Sequence, residues 1–389
     1  MPGTMQNFEF HNPTRVIFGV GQIASLAKHI PSNARVLMLY GGGSIKKNGT
    51  YDEVRAALAE HTVLEFAGIE PNPKYETLMQ AVELIHREKI DFLLAVGGGS
   101  VVDGTKFIAA AAVYDGDAWD ILKIGGKVVK AALPFGAVLT LPATGSEMNS
   151  ASVVSRAETQ EKRAFMSPHV YPRFSVLDPA KTLTLPLRQV GNGVVDAFVH
   201  TTEQYLTYPA NAPVQDRFAE GLLQTLVELG PQVLARPEDV EVRANIMWSA
   251  TMALNGLIGV GVPQDWATHM IGHELTALFG LDHAQTLAIV LPGILQIRRE
   301  AKRGKLLQYA ERVWGLKNGT EDERIDAAIG NTRAFFEQMG VPTRLSGYGL
   351  GPEAVDATVA AVEAAGLTSL GERRDITPAD VRKALQLSL

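Results

Sequence analysis

The stretch Phe92-Leu93-Leu94-Ala95-Val96-Gly97-Gly98-Gly99-Ser100-Val101-Val102-Asp103 decides the architecture. Its continuous apolar run reads as a strand buried on both faces, the kind found in parallel sheets covered by helices. Three glycines at the strand's C-terminal end then open a segment, Val101 to Val113, with apolar residues at helical spacing. Glycine lets backbone N–H groups approach a phosphate with no Cβ in the way, and the dipole of the helix that follows favours the negative charge. The turn reads as a dinucleotide-phosphate loop or, more plainly, as a tight strand-to-helix connection. A P-loop is excluded, because Gly104-Thr105-Lys106 lacks the Gly-Lys-Ser/Thr ending.

The same alternation extends on both sides. Thr14 to Phe18, Arg35 to Tyr40, Thr62 to Phe66, Asp91 to Val96, Gly136 to Leu141 and Arg173 to Leu177 read as strands. Helical spacing fills Ile23 to Ile30, Tyr51 to Glu60 and Tyr75 to Lys89 between them. From about Leu187 the pattern changes to Ala/Leu-rich helices: Arg188 to Tyr205, Asp216 to Leu229, Arg243 to Leu257, Ala267 to Phe279, Gln285 to Arg298, Arg324 to Met339, Pro352 to Ala365 and Pro378 to Leu387. The prolines between Leu177 and Pro186 mark the change. The spacing predicts an α/β, Rossmann-like dinucleotide-binding domain over 1–184 and an all-α domain over 185–389.

Composition removes other classes. The chain has 389 residues, a net charge of −6, 46% hydrophobic and 20% charged residues, so it is globular and has no basic patch for nucleic acid. Cysteine is absent. That excludes disulfides, thiolate zinc, iron–sulfur clusters and aldehyde oxidation through a thiohemiacetal. Met1 to Phe10 lacks the pattern of a signal peptide and no run is long enough to span a membrane, so a cytoplasmic protein without a membrane partner is expected.

A second glycine cluster, Gly41-Gly42-Gly43-Ser44, follows the strand ending at Tyr40. An NAD enzyme usually carries an acid here for the ribose 2′-hydroxyl. Glycine and serine, followed by Lys46 and Lys47, suit a 2′-phosphate instead, which favours NADP; the lysines read equally well as solvated surface charges. Gly19-Val20-Gly21-Gln22-Ile23-Ala24 matches G-x-G-x-x-A, but no acid follows at the expected distance, so it is read as structural. The hydroxyl-rich Leu139 to Glu147 reads as a nucleotide-lining segment or as a Ser/Thr turn.

Four of the nine histidines, His200, His269, His273 and His283, lie in the helical half. Asp196 and His200 share one helix face, and His269 and His273 share another at the same spacing. A carboxylate with imidazoles on facing helices is a ligand set for a first-row divalent ion, zinc or iron above others. With Asp282 nearby, some of these groups must be outer-shell or catalytic. H-E-x-x-H is not present, since Ala277 stands where its second histidine would be, and no tyrosine is followed four residues later by lysine. With the Tyr-Lys route to protonating an alkoxide closed, a metal is left to polarise the carbonyl, and the pattern reads as Lewis-acid-assisted hydride transfer.

These elements, together with Leu177-Asp178-Pro179 and Val262-Pro263-Gln264-Asp265-Trp266-Ala267-Thr268-His269, resemble the iron-containing or group III alcohol dehydrogenases over nearly the whole chain, and most closely their NADPH-dependent aldehyde reductase branch. The resemblance implies a divalent metal held by Asp196, His200, His269 and His283, with His273 handling a proton. It implies NADP(H) bound by Gly41, Gly42, Gly43 and Ser44 at the 2′-phosphate, and by Gly97, Gly98, Gly99 and Ser100 at the pyrophosphate. Asp103 would lie near the nicotinamide, Thr140 and Thr144 along the nucleotide, and Lys162 at a ribose. It also implies reduction of short- to medium-chain aldehydes and a homodimer. The rivals are a metal- and NAD-dependent lyase like 3-dehydroquinate synthase, and a non-catalytic nucleotide- or metal-binding protein.

Overall fold

The computed structural model describes residues 3–389, so the first two residues of the Met1 to Phe10 stretch lie outside the described residues. The chain forms two compact units. One comprises His11–Pro186 with Glu238–Thr251; the other comprises the residues up to Phe10, Leu187–Pro237 and Met252–Leu389.

The first unit is built on strands β1 (Arg15–Phe18), β2 (Arg35–Leu39), β3 (Thr62–Phe66), β4 (Phe92–Gly98), β5 (Phe135–Leu141) and, after a hairpin of β6 (Ala151–Arg156) and β7 (Glu161–Met166), β8 (Phe174–Leu177). Six of them make one parallel sheet in the order β1-β8-β5-β4-β2-β3. Alternate residues of each strand serve opposite faces. Leu37, Leu39, Leu93 and Ala95 join the core that includes Leu78, Val82, Phe107 and Ile108 from the helices Tyr75–Glu88 and Gly99–Ala111. Val36, Met38, Leu94 and Val96 face the other way, with Ile23, Leu26, Val54 and Leu58. Val36 to Leu39 of β2 and Phe92 to Val96 of β4 are buried on both faces, which is why those runs are apolar throughout.

The order locates the site. From β2 the chain moves outward to β3, whereas from β4 it moves to β5 on the opposite side, so the crevice at the carboxyl ends of β2 and β4 is a topological switch point. Both glycine clusters lie there, since Gly41 to Ser44 follow β2 and Gly97 to Ser100 close β4. The hairpin of β6 and β7 was not among the expected strands: Glu161-Lys162-Arg163 is too polar for a buried-strand pattern, and its turn is an Ala-Glu-Thr-Gln stretch with Gln160 at φ 52°, without the usual Asn-Gly signal.

The second unit is helical. It holds Leu187–Tyr205, Pro213–Ala235, Ala267–Phe279, His283–Ile297, Arg303–Arg312, Glu321–Gln338, Pro352–Ala364 and Pro378–Gln386. Arg303–Arg312 was not expected, because its buried face is only Lys305, Leu306, Tyr309 and Ala310 amid charged residues. The helix Val240–Ala253 departs from the expected 184/185 division. Its Met247 packs with Leu139 and Leu177, and its Trp248 meets Phe18 edge-on at 5.8 Å, so residues 238–251 belong with the sheet. Helical periodicity is the same whichever layer a helix covers, so sequence could not assign it. No helix among the described residues is long and apolar enough to cross a membrane.

Candidate functional site

The helix Leu187–Tyr205 carries Asp196 and His200, the helix Ala267–Phe279 carries His269, and His283 opens the helix His283–Ile297. One donor atom from each of Asp196, His200, His269 and His283 falls within 4.8 Å of the others. Asp196 Oδ1 lies 3.4 Å from His200 Nε2 and 3.5 Å from His283 Nε2. Four donors around one ion at bonds of about 2.1 Å would stand about 3.4 Å apart in a tetrahedron, so these separations suit a shared cation. Asp196 and His200 are nearly fully buried, and the His200 and His269 rings stack at 4.7 Å.

The fit to a metal rests most directly on His269. Its Nδ1 is bonded to the Glu203 carboxylate, while its buried Nε2 has no hydrogen-bond partner among the described residues. A ring held at one nitrogen by a carboxylate and bare at the other is the arrangement of a metal-ligating histidine. Glu203 also accepts the backbone N–H groups of Thr268 at 2.8 Å and His269 at 3.3 Å. Sequence reasoning did not single out Glu203. The signal was available: Asp196, His200 and Glu203 recur at i, i+4 and i+7 on one helix face.

The other candidates separate in space. His273 lies one turn beyond His269, buried, with its ring 5.9 Å from that of His283 and outside the four-donor group. Asp282 is not part of that group either. It pairs with Arg188, accepts from Asn192 Nδ2 at 3.0 Å and caps the helix that His283 begins, which is a structural role.

At the switch point of the sheet, the glycines have steric reasons. A Cβ on Gly99 would overlap the Thr144 side chain, and one on Gly97 would come within 2.7 Å of Val101. The helix Gly99–Ala111 starts without any side-chain cap, leaving its first N–H groups available to an anion. Ser100 Oγ accepts from Asn72 N at 3.2 Å, and Asn72 Oδ1 accepts from Lys162 Nζ at 2.8 Å, which ties the buried Lys162 to the same loop. Thr140 is a buried residue of β5. Gly41 sits where a Cβ would approach Ile69 O to 3.1 Å, Gly42 is open, and Gly43, at φ +94°, precedes the short helix Ser44–Lys47. Lys46 Nζ lies 4.8 Å over the Tyr51 ring. The Gly19 to Ala24 motif is structural: Gly21, at φ 79°, donates its N–H to Asp178 at 2.8 Å.

Asp103 has a firm anchoring role. Its carboxylate accepts from Ser146 Oγ at 2.5 Å and from Val153 N at 3.0 Å, so it fastens the loop after β5 to the helix Gly99–Ala111. One turn on, fully buried Lys106 donates to Asn149 Oδ1 at 2.9 Å and Ala151 O at 2.8 Å. Burial lowers the Lys106 pKa to about 8, against the opposing pull of Asp103 and Glu147. Burial likewise raises the pKa of both acids. Glu147, in a short 3-10 turn at the end of the hydroxyl-rich segment, accepts from Thr251 Oγ1 at 2.6 Å on its Oε1. Lys106 was not singled out from sequence, since a buried polar residue inside an apolar helix carries no local signature.

Comparison with known proteins agrees over both units. The family model for iron-containing alcohol dehydrogenase matches residues 13–179, and that for the C-terminal part of the Fe-containing alcohol dehydrogenase family matches residues 191–388. The NADPH-dependent aldehyde reductase YqhD of Escherichia coli is 64% identical over 96% of this chain and 97% of that protein. A probable NADH-dependent butanol dehydrogenase of Bacillus subtilis is 44% identical over 99% of this chain and 100% of that protein. Among solved structures, E. coli YqhD superposes with a TM-score of 0.99 at 61% identity over 100% of both chains. The NADH-dependent butanol dehydrogenase A of Thermotoga maritima follows at 0.94 and 38% over 99% of each. The chain belongs to the iron-containing alcohol dehydrogenase family.

Proposed function

We propose that the protein is an NADPH-dependent aldehyde reductase that uses one divalent ion, zinc or ferrous iron, to reduce short- to medium-chain aldehydes to primary alcohols. The observation that carries the reading is the buried convergence of Asp196, His200, His269 and His283, with Glu203 on the far nitrogen of His269. When bound, the metal supplies a Lewis acid for the carbonyl and NADPH supplies the hydride.

The chain's own residues do the rest. Asp196 and the outer carboxylate of Glu203 offset the charge of a divalent ion, and Glu203 fixes the tautomer of His269 so that Nε2 is the donor. A ring nitrogen of His273 would supply the proton that the substrate oxygen needs to become the alcohol hydroxyl. Gly97 to Ser100 and the first turn of the following helix bind the pyrophosphate. Thr140 and Thr144 line the nucleotide, Lys162 meets a ribose, and Asp103 holds the loop bearing Thr144 in place from near the nicotinamide end. Gly41 to Ser44 receive the 2′-phosphate: the turn carries no acid side chain to repel it.

The enzyme works in the cytoplasm as a homodimer, without nucleic acid or membrane partners. Supporting the dimer, β1 is an edge strand, and Phe18, Val20 and Trp248 are exposed. The test is NADPH oxidation with butyraldehyde after chelator treatment and separate resupply of zinc and ferrous ion. Loss on stripping and recovery with one metal supports the reading; activity indifferent to stripping refutes it.

A further inference from the structure

We infer that Asp265, anchored by the buried ammonium of Lys302, acts as a positioning residue for His269, an inference that rests on the metal reading above. Lys302 is 1% exposed. Its Nζ lies 2.7 Å from Asp265 Oδ2, donates to Glu372 at 2.9 and 3.0 Å, and donates to Leu206 O at 2.6 Å. A buried ammonium between two carboxylates is poor evidence for stability, because desolvation offsets most of the attraction; its best-attested use is to specify one arrangement.

What it specifies here is read from its partners. Leu206 directly follows the helix that bears Asp196, His200 and Glu203, and Asp265 precedes the helix that bears His269. Asp265 uses its second oxygen, Oδ1, to accept the Ala267 N–H at 3.0 Å, and its own N–H donates to Glu203 O at 2.9 Å. The helix start thus fastened presents Thr268 N and His269 N to the Glu203 carboxylate that also holds His269 Nδ1. Between Asp265 and Ala267 stands Trp266 at φ 64°, a left-handed conformation that a bulky residue keeps only when its surroundings over-determine it. The fixed carboxylate on one side and the bonded N–H on the other supply that constraint.

An amide cannot replace Asp265. Both of its oxygens accept, one from Ala267 N and one from the ammonium, whereas asparagine has a single acceptor and must turn an NH2 toward one of those donors. Glu372 shares the same ammonium but makes no hydrogen bond to the helix start among the described residues, so it serves as the control.

The full-length protein is loaded with cobalt(II), and its visible d–d bands, its cobalt dissociation constant by chelator competition, and its melting temperature are recorded. Asp265→Asn is expected to shift the bands and to weaken cobalt binding about tenfold, the lower end for outer-shell groups. Glu372→Gln is expected to lower the melting temperature while leaving bands and affinity as in the wild type. Should the amide variant not fold, Asp265→Ser, which keeps a short acceptor for Ala267 N but cannot reach Lys302, is expected to show the same cobalt changes. Wild-type bands and affinity in the folded Asp265 variant, or equal cobalt changes in Glu372→Gln, would overturn the inference. Wild-type protein that takes up no cobalt would instead overturn the metal reading, and this inference with it.

Discussion

Glu203 and His269, 66 residues apart in the chain, are joined by a hydrogen bond that the buried carboxylate accepts from Nδ1, which leaves the Nε2 of that ring buried with no hydrogen-bond partner among the described residues. Glu203 accepts three donors at once, Thr268 N, His269 N and His269 Nδ1, and glutamine offers only one acceptor oxygen. Glu203→Gln is therefore expected to weaken zinc binding by about 10- to 100-fold. Chelator competition on the full-length protein checks this, and unchanged affinity would remove Glu203 from the centre.

Asp196 and His273 are expected to separate metal binding from proton handling. Asp196→Ala should lose metal before anything else, because it removes the only carboxylate of the four-donor group. His273→Ala, outside that group, should retain the metal and lower kcat by about 10²-fold, within the usual range for a positioned general acid. Metal content by elemental analysis beside kcat decides it: equal metal loss in both variants contradicts the division.

Gly42 is open, with nothing near a Cβ and no positive φ, so a side chain fits there without strain. Gly42→Asp places a carboxylate where a 2′-phosphate is proposed to bind. The expected result is a KM for NADPH raised at least about tenfold, as an unfavourable charge contact of roughly 1.4 kcal/mol would produce, with NADH affected much less. Equal changes for both cofactors would move the adenosine end elsewhere.

Lys106 gives a pH signature. Its folded pKa, lowered by burial to about 8, lies below that of an unfolded lysine, so between the two values the unfolded chain binds more protons. This contribution to stability must rise with pH above about 8 and level off near the ordinary lysine value. Lys106→Met removes the titration. The stability of the wild type relative to the variant, followed by urea unfolding at a series of pH values, should increase across that window; a flat difference rejects the depressed pKa.

Much of this was readable before any coordinates, and for a local reason. A strand that ends in glycines, a helix that begins on them, and an Asp-x-x-x-His spacing are properties of a few consecutive residues, so Phe92 to Asp103 announced the parallel sheet and Asp196 with His200 announced a shared helix face. The resemblance carried to particular positions sorted Asp196, His200, His269 and His283, as expected metal ligands, from His273, as the expected proton-handling residue. What stayed hidden depends on which segments meet. Periodicity could not say that Val240–Ala253 covers the sheet and not the helices, nor that Asp282 is spent on Arg188 and a helix cap. It could not pair Glu203 with His269 or Lys302 with Asp265, nor reveal that both Asp103 oxygens are taken by Ser146 and Val153. Each such polar contact exists because a buried donor or acceptor must find a partner wherever packing leaves it, and that partner is chosen by proximity in three dimensions, which spacing along the chain does not encode.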